Sequence, residues 1–284
     1  MIIRAQPRAR YAVIGNPIAH SRSPGIHAAF AAQTGEAIEY GTMLAPLDGF
    51  AASVERFMTE GGAGLNVTLP FKEQACAWVR QRGGAISPRA LAAGAVNTLR
   101  FDTGEVLGDN TDGAGLVRDL QERHGVELPG ARVLLLGAGG AARGAAQALL
   151  GCGVVGLLVA NRTPARARQL VAELADQRAS AIAWSELSGV TAQLVLQATS
   201  AALTGGALQL PAAVFAGRPF CYDMTYAPRS TAFLDQARQA GCHRGADGLG
   251  MLVEQAAESF LVWRGVRPQT EPVYRSLRAQ LDAA

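Results

Sequence analysis

The chain has almost no lysine. Of its 284 residues 26 are Lys or Arg, and only one of these is Lys. That one is Lys72, at the end of Asn66-Val67-Thr68-Leu69-Pro70-Phe71-Lys72. Arginine serves wherever a surface charge suffices, but its guanidinium stays protonated at any working pH. A single retained lysine therefore points to chemistry that needs a compact ammonium able to lose a proton. The plain alternative is a chance survivor on a solvated face. Aromatic residues are scarce as well, at 6%. The four cysteines (Cys76, Cys152, Cys221 and Cys242) form no Cys-x-x-Cys pair and stand at no zinc spacing to the four histidines. His20 and His27 are too far apart for a helical i, i+4 pair, so no metal is expected. Long apolar runs are missing too. The longest, around Leu149 to Ala160, is broken by glycines, so no membrane span is expected. Basic residues do not cluster, and a net charge of +3 spread along the chain does not suggest a nucleic-acid partner. With no disulfide pattern and no secretory leader, the expected compartment is a reducing cytoplasm.

What is present reads as an α/β protein. The chain is 49% hydrophobic with mean hydropathy +0.12, enough for well-buried cores in one large or two ordinary domains. Residues 11–15 form a short strand that runs into Asn16-Pro17-Ile18-Ala19-His20-Ser21-Arg22-Ser23-Pro24. Pro24 suits the first turn of a helix, and Ser23 suits its cap. Ser21 and Ser23 together also suit an anionic or polyhydroxylated ligand. A helix is expected over 25–34, a strand over 38–44, a helix over 47–60 and a strand over 63–69 that delivers Lys72. Asn66 and Thr68 interrupt an apolar run there. Farther on, Asn97 sits in a small-residue turn where it could bond its own backbone. Leu107-Gly108-Asp109-Asn110-Thr111-Asp112-Gly113 reads as a tight polar turn before an amphipathic helix over 114–123. Asp112 is either the cap of that helix or a carboxylate that holds and tunes the lysine.

The pattern restarts after Leu128-Pro129-Gly130. Residues 131–136 are a continuous apolar strand of the kind covered on both faces. Gly137-Ala138-Gly139-Gly140-Ala141-Ala142-Arg143 and an alanine-rich helix follow. This is the dinucleotide fingerprint in its strand, turn and helix context, with Ala142 at the third glycine position. The glycines permit a tight turn and close approach to a pyrophosphate, which the helix N-terminus attracts. The next strand ends at Asn161-Arg162-Thr163-Pro164-Ala165-Arg166. NAD would call for an acid there. Two arginines and a hydroxyl instead suit a 2′-phosphate, so the expected cofactor is NADP(H). Strands at 193–198 and 219–223 come next, the second running into Asp223-Met224-Thr225-Tyr226. Helices are expected over 230–240, 251–264 and 271–282.

These segments together resemble shikimate dehydrogenases, over essentially the whole chain. The residues that carry the resemblance are 15–24, 66–72, 93–98 (Ala-Gly-Ala-Val-Asn-Thr), 108–113, 137–143, 161–163, 222–228 and 246–256 (Ala-Asp-Gly-Leu-Gly-Met-Leu-Val-Glu-Gln-Ala). One departure is Gln197-Ala-Thr-Ser-Ala-Ala202, where the family pattern is Asn-Ala-Thr-Ser-x-Gly. The segment from Lys72 to Asn97 also runs a few residues longer. The resemblance implies NADP-dependent interconversion of 3-dehydroshikimate and shikimate on the route to chorismate and the aromatic amino acids. It implies Lys72 and Asp112 as the catalytic pair, and Ser21, Ser23 and Tyr226 on the substrate carboxylate. Thr68, Asn97 and Gln255 would hold ring oxygens. Gly137, Ala138, Gly139, Gly140, Ala141, Asn161, Arg162, Thr163, Arg166, Met224 and Gly248 would line the cofactor. The implied architecture is a substrate domain over 1–112, completed by 248–284, and a Rossmann-type NADP domain over 113–247, with the active site in a deep cleft between them. A monomer or homodimer is expected. Two rival readings are a quinate/shikimate dehydrogenase and a non-catalytic NADP-sensing regulator on the same fold.

Overall fold

The computed structural model describes residues 8–199 and 208–283, which fall into two compact units. The first unit runs to Thr111 and takes up Gln255–Val273; the second holds Asp112–Glu254 and the residues from Tyr274. The sequence reading gives 248–284 to the first domain throughout, whereas compactness divides this stretch at 254/255 and 273/274.

In the first unit β1 (Ala9–Gly15), α1 (Ser23–Thr34), β2 (Ile38–Leu44), α2 (Phe50–Thr59), β3 (Gly62–Val67) and α3 (Lys72–Gln81) follow the apolar periodicity of the chain. Four shorter elements come after them: β4 (Ala85–Ile86), α4 (Pro88–Ala93), β5 (Thr98–Arg100) and β6 (Leu107–Asp109). The six strands form one mixed sheet in the order β2-β1-β3-β5-β6-β4. β1 is parallel to both neighbours, and β5 is antiparallel to β3 and β6. α4 and β6 were not legible in the sequence. Six helical or three strand residues are too few to show a period. α4 exists because Ser87 Oγ accepts from Ala90 N at 3.2 Å and Gly94 closes the helix in the left-handed region. Leu107–Asp109, expected as a turn, is drawn into the sheet by pairing with Thr98–Arg100. The core gathers Ile14, Phe50, Leu65, Phe71, Val79 and Leu99. Gly64 is required by Trp263, since a Cβ there would lie 2.7 Å from the indole nitrogen, which donates to the Leu99 carbonyl at 2.9 Å.

In the second unit β7 (Arg132–Leu136), α6 (Gly140–Gly151), β8 (Gly156–Ala160), α7 (Pro164–Leu174), β9 (Ala179–Ile182), β10 (Leu194–Gln197), β11 (Phe220–Asp223), α8 (Ala232–Gln239) and β12 (Gly245–Asp247) alternate. All pairings are parallel, in the order β12-β11-β10-β7-β8-β9. That is the doubly wound arrangement, with its switch point between β7 and β10. One core lies on each face of the sheet, centred on Leu135 with Leu149 and on Leu134 with Phe215. α5 (Asp112–Arg118) continues as a single π-helical turn, Asp119–Arg123. Fully buried Asp119 accepts from Tyr222 Oη at 2.7 Å and from Arg123 Nε at 2.9 Å. Arg123 also reaches Glu254 at 3.2 Å, in helix α9 (Leu249–Arg264), and lies 4.0 Å over the Tyr274 ring in α10 (Glu271–Asp282). No described helix is long and apolar enough to cross a membrane.

His27, fully buried in α1, stacks on Tyr40 with ring centroids 4.1 Å apart, and neither ring nitrogen has a hydrogen-bond partner. Burial pushes the imidazole from 6.5 down to about 3, with the neighbouring Asn66 amide opposing the shift. Between those values the unfolded chain binds a proton that the folded chain does not. Stability therefore falls as pH drops from 6.5 toward 3, by up to roughly 1 kcal/mol per pH unit. His27→Leu should show a shallower decline over this window, measured by urea unfolding midpoints at stepped pH; an equal slope would assign the acid sensitivity to other groups.

Candidate active site

The loops at the C-terminal ends of β1, β2 and β3 are bound to one another through Asn16. Its side-chain amide donates to the Ala45 carbonyl at 2.8 Å, and its backbone N–H donates to the Leu69 carbonyl at 3.1 Å. Ser21 and Ser23 follow in the first of these loops. Ser23 does not cap α1: the capping position is Arg22, with no side-chain cap bond. Ser21 Oγ accepts from Ser23 N at 3.3 Å instead. The capping explanation of Ser23 is therefore corrected, and its buried hydroxyl lies beside that of Tyr40 instead.

β3 ends at Val67, two residues sooner than the apolar run suggests, because Thr68 opens a turn closed by Phe71 N donating to the Thr68 carbonyl at 3.0 Å. Lys72 is the first residue of α3. A cation at a helix N-terminus opposes the helix dipole, so lysine is not there for the helix. The Lys72 carbonyl accepts from Val96 N at 2.9 Å, which fastens the lysine turn beside Asn97.

Asn97 is buried within a closed polar network. Its Oδ1 accepts from Thr111 N and Thr98 Oγ1, both at 2.8 Å, and its Nδ2 donates to Thr111 Oγ1 at 2.9 Å. Ser259, on α9, joins Thr98 at 2.8 Å and Thr111 at 3.1 Å, and donates to the Gln255 carbonyl at 3.0 Å. Asn66 closes the group, its Nδ2 reaching Ser259 Oγ at 3.0 Å. Asp109 steadies the same strand end: Arg89 grips its carboxylate at 2.8 and 2.7 Å, and Asn110 N donates to it at 2.7 Å. Burial raises the Asp109 pKa, but Arg89 and Ser87 outweigh burial and hold it below the ordinary value. Asp112 follows Thr111 in the chain and begins α5. Of the sequence-predicted residues of the first unit, Asn97 and Gln255 are thus joined through Ser259, and Lys72 is tied to the adjoining turn. Tyr40, Thr111 and Ser259 escaped the sequence reading. Asn66 was the one signal, a polar residue inside an apolar strand.

In the second unit the glycine-rich turn lies at the switch point. Gly137 has φ +120°, and a Cβ there would sit 2.9 Å from the Ala198 carbonyl carbon and oxygen, beyond β10. α6 begins behind Gly139 without any side-chain cap, so its first N–H groups face outward at the exposed Gly139, Gly140 and Ala141. These features fit a pyrophosphate. At the end of β8, Asn161 Nδ2 donates to the Thr163 carbonyl at 3.0 Å, and Thr163 begins α7 without a side-chain cap bond. Arg162 and Arg166 are exposed at this strand end, and their guanidinium groups suit a phosphate. Gln197 folds back onto Thr199, accepting from its N–H at 3.0 Å and donating to its hydroxyl at 2.9 Å. Ser200 lies outside the described residues. Met224, Tyr226 and Gly248 share one loop cluster. Met224 N donates to the Gln197 carbonyl, Gly248 N donates to the Thr225 carbonyl, and Asp247 accepts from Ala227 N and Arg278. A Cβ at Gly248 would lie 2.4 Å from the Met224 carbonyl oxygen. Among the described residues no group of three or more His, Cys, Asp or Glu side chains could hold a metal.

Gly137→Ala tests the cradle. Alanine there is strained both by φ and by contact with backbone, so dinucleotide affinity in a fluorescence titration should fall at least about tenfold, the equivalent of roughly 1.4 kcal/mol. Unchanged affinity would remove this turn from the cofactor site.

Comparison with known proteins agrees with this geometry. Residues 13–99 match the family model described as the shikimate dehydrogenase substrate binding domain. Residues 119–204 match the shikimate/quinate 5-dehydrogenase model, and 248–278 match the shikimate 5′-dehydrogenase C-terminal domain. The shikimate dehydrogenase (NADP(+)) of Alkalilimnicola ehrlichii is 53% identical over 272 residues, covering 95% of this chain and 99% of that protein. That of Nitrosospira multiformis is 52% identical over 274 residues, covering 96% and 98%. Among solved structures, an Ael1 enzyme from Pseudomonas putida matches with TM-score 0.89 at 45% identity, over 95% of this chain and 98% of that one. Shikimate 5-dehydrogenase from Thermus thermophilus, in complex with NADP(H) and shikimate, matches with TM-score 0.84 at 34% identity, over 95% and 99%. A mixed α/β unit carrying a lysine turn, a doubly wound unit carrying a glycine cradle, and relatives more than half identical along nearly the whole length place this chain in the shikimate dehydrogenase family.

Proposed function

We propose that this protein catalyses the reversible NADPH-dependent reduction of 3-dehydroshikimate to shikimate, with Lys72 and Asp112 as its catalytic pair. The observation that carries the assignment is the backbone bond between Lys72 and Val96, beside an Asn97 held by Thr111. The residues next in sequence to these anchors are Asn97 and Asp112. The first bond fastens the lysine turn beside Asn97, and the second fastens Thr111, the residue before Asp112 in the chain, to the Asn97 side chain.

When bound, NADP(H) supplies the hydride chemistry, which belongs to the nicotinamide. The chain must orient the ring carbon and manage one proton at the alcohol oxygen. Lys72 holds that proton and passes it to or from the oxygen, and Asp112 orients the ammonium. Ser21, Ser23 and Tyr226 hold the substrate carboxylate; Thr68, Asn97 and Gln255 hold ring oxygens. Gly137 to Ala141 meet the pyrophosphate, and Arg162, Thr163 and Arg166, with Asn161, meet the adenosine phosphate. Met224 and Gly248 would line the cofactor. The four cysteines, all free, support a reducing cytoplasmic location.

Purified protein assayed with shikimate or quinate against NADP⁺ or NAD⁺ should turn over mainly shikimate with NADP⁺. Comparable turnover of quinate would move it to the broader quinate/shikimate activity, and NADP⁺ binding without turnover would make it a sensor. Lys72→Ala should lower kcat by roughly 10²- to 10⁴-fold, with a much smaller change in shikimate KM. Near-normal turnover would sink the role of Lys72. Arg162→Ala with Arg166→Ala should raise KM for NADP⁺ by at least about tenfold and leave NAD⁺ kinetics unchanged; equal effects on both cofactors would deny these arginines any part in selecting the phosphate.

A further inference from the structure

We propose that Tyr40 is a positioning residue for the substrate site, acting through the Asn66 amide on the turn that carries Asn97. The proposal rests on the assignment of Asn97 to a substrate ring oxygen. It adds a residue that the assignment above leaves out, one whose hydroxyl also lies beside that of Ser23.

The direction of the bonds at both ends can be deduced. Asn66 Nδ2 lies 3.2 Å from the Asn97 carbonyl oxygen, which can only accept. This identifies the nitrogen side of the amide, which also reaches Thr98 Oγ1 at 3.2 Å and Ser259 Oγ at 3.0 Å. The oxygen side therefore faces Tyr40, and the Tyr40 hydroxyl must donate to Asn66 Oδ1, at 2.8 Å. At the far end, Thr111 N can only donate, so Asn97 Oδ1 is fixed where it accepts from that N–H. Between these ends stand only hydroxyls, those of Thr98, Thr111 and Ser259, all fully buried. Hydroxyls turn to suit their neighbours. The two amides fix the ends of the network, and between them the Thr98–Ser259 and Thr111–Ser259 contacts can run in either direction.

Tyr40 is built to hold one position. Its ring stacks on His27 at 4.1 Å, with the planes 11° apart, and Trp263 lies 6.2 Å away. Burial pushes the phenol well above its ordinary pKa, with the Ser23 hydroxyl beside it opposing, so it stays a donor. Loss of this hydroxyl would leave Asn66 Oδ1 a buried acceptor without its partner. The amide would then be free to reverse, setting oxygen against the Asn97 carbonyl and removing the donor that steadies the turn. Asn97 would remain present but loosely aimed.

The test is a double-mutant cycle on the full-length protein, with shikimate varied at saturating NADP⁺. Tyr40→Phe keeps the ring stack and removes the hydroxyl. It should raise shikimate KM by about tenfold, leave NADP⁺ KM nearly unchanged, and lower the melting temperature by the few degrees that one unpaired buried acceptor costs. Combined with Asn97→Ala it should add little to the single Asn97→Ala effect, because both changes spoil the same contact. A purely structural role would lower the melting temperature likewise but act additively with Asn97→Ala on shikimate KM, which would overturn the proposal. Normal shikimate KM in Tyr40→Phe with an impaired Asn97→Ala would also overturn it, while leaving Asn97 in the site. Normal KM in Asn97→Ala would remove Asn97 from the site, and Tyr40 with it. Should Tyr40→Phe fail to fold, Asn66→Asp carries the same test. It still accepts from Tyr40 but loses the donors toward Asn97, Thr98 and Ser259, and it should show the same rise in KM and the same non-additivity.

Discussion

A buried amide or hydroxyl must find its partners inside the protein, and the substrate-binding unit is arranged around that requirement. Asn66 sits within β3, a strand otherwise made of apolar and small residues. Left unpaired, it would cost about 1–3 kcal/mol per lost bond. It is paired with the Asn97 carbonyl and Thr98, at the start of β5, and with Ser259, far along the chain in α9. Meeting the needs of one polar group therefore registers β3 against the turn before β5, and both against α9. The apolar core of Ile14, Leu65 and Leu99 packs the sheet, but apolar contact is not directional and would tolerate small slips. The hydrogen-bonded group does not.

The dinucleotide unit applies a different constraint to the same end. Its sheet is apolar on both faces, and polar groups are kept to the strand ends and loops. The exception is the Asp119, Tyr222, Arg123 and Glu254 group, which fastens α5 and α9 to the sheet. Breaking such a buried pair on one side leaves a charge without compensation, so its members hold their helices firmly. α5 begins with Asp112, and Glu254 immediately precedes Gln255. Asp112 thus opens the helix that leads into this group, and Gln255 follows one of its members within α9. Backbone fit governs the cofactor side: Gly137 against Ala198, and Gly248 against Met224.

Much of this was legible beforehand. Long elements with a clear period, such as β1, α1 and β7, were read close to their bounds, because burial of one face or both leaves its mark on residue type. The glycine-rich turn between β7 and α6 was legible because a strand, a tight turn and a helix need particular residues at particular spacing. The short elements α4 and β6 were not, since they are held by a cap and by strand pairing rather than by a pattern of their own. Ser23 misled as a helix cap. Its type permits that role, and only the geometry shows the cap unused.

The sequence by itself determined which chemistry is available: one lysine, a cradle of glycines, arginines in place of an acid, and no spacing suited to zinc. Those are properties of residue types, and they survive in a one-dimensional reading. Only the tertiary structure decided which polar groups are shared. Tyr40, Asn66, Asn97, Thr111 and Ser259 are spread over more than two hundred residues, and each alone reads as a strand, turn or helix residue. Their connection depends on hydrogen-bond directions within one buried volume, because a donor and an acceptor recognise each other by distance and angle, which sequence spacing does not encode.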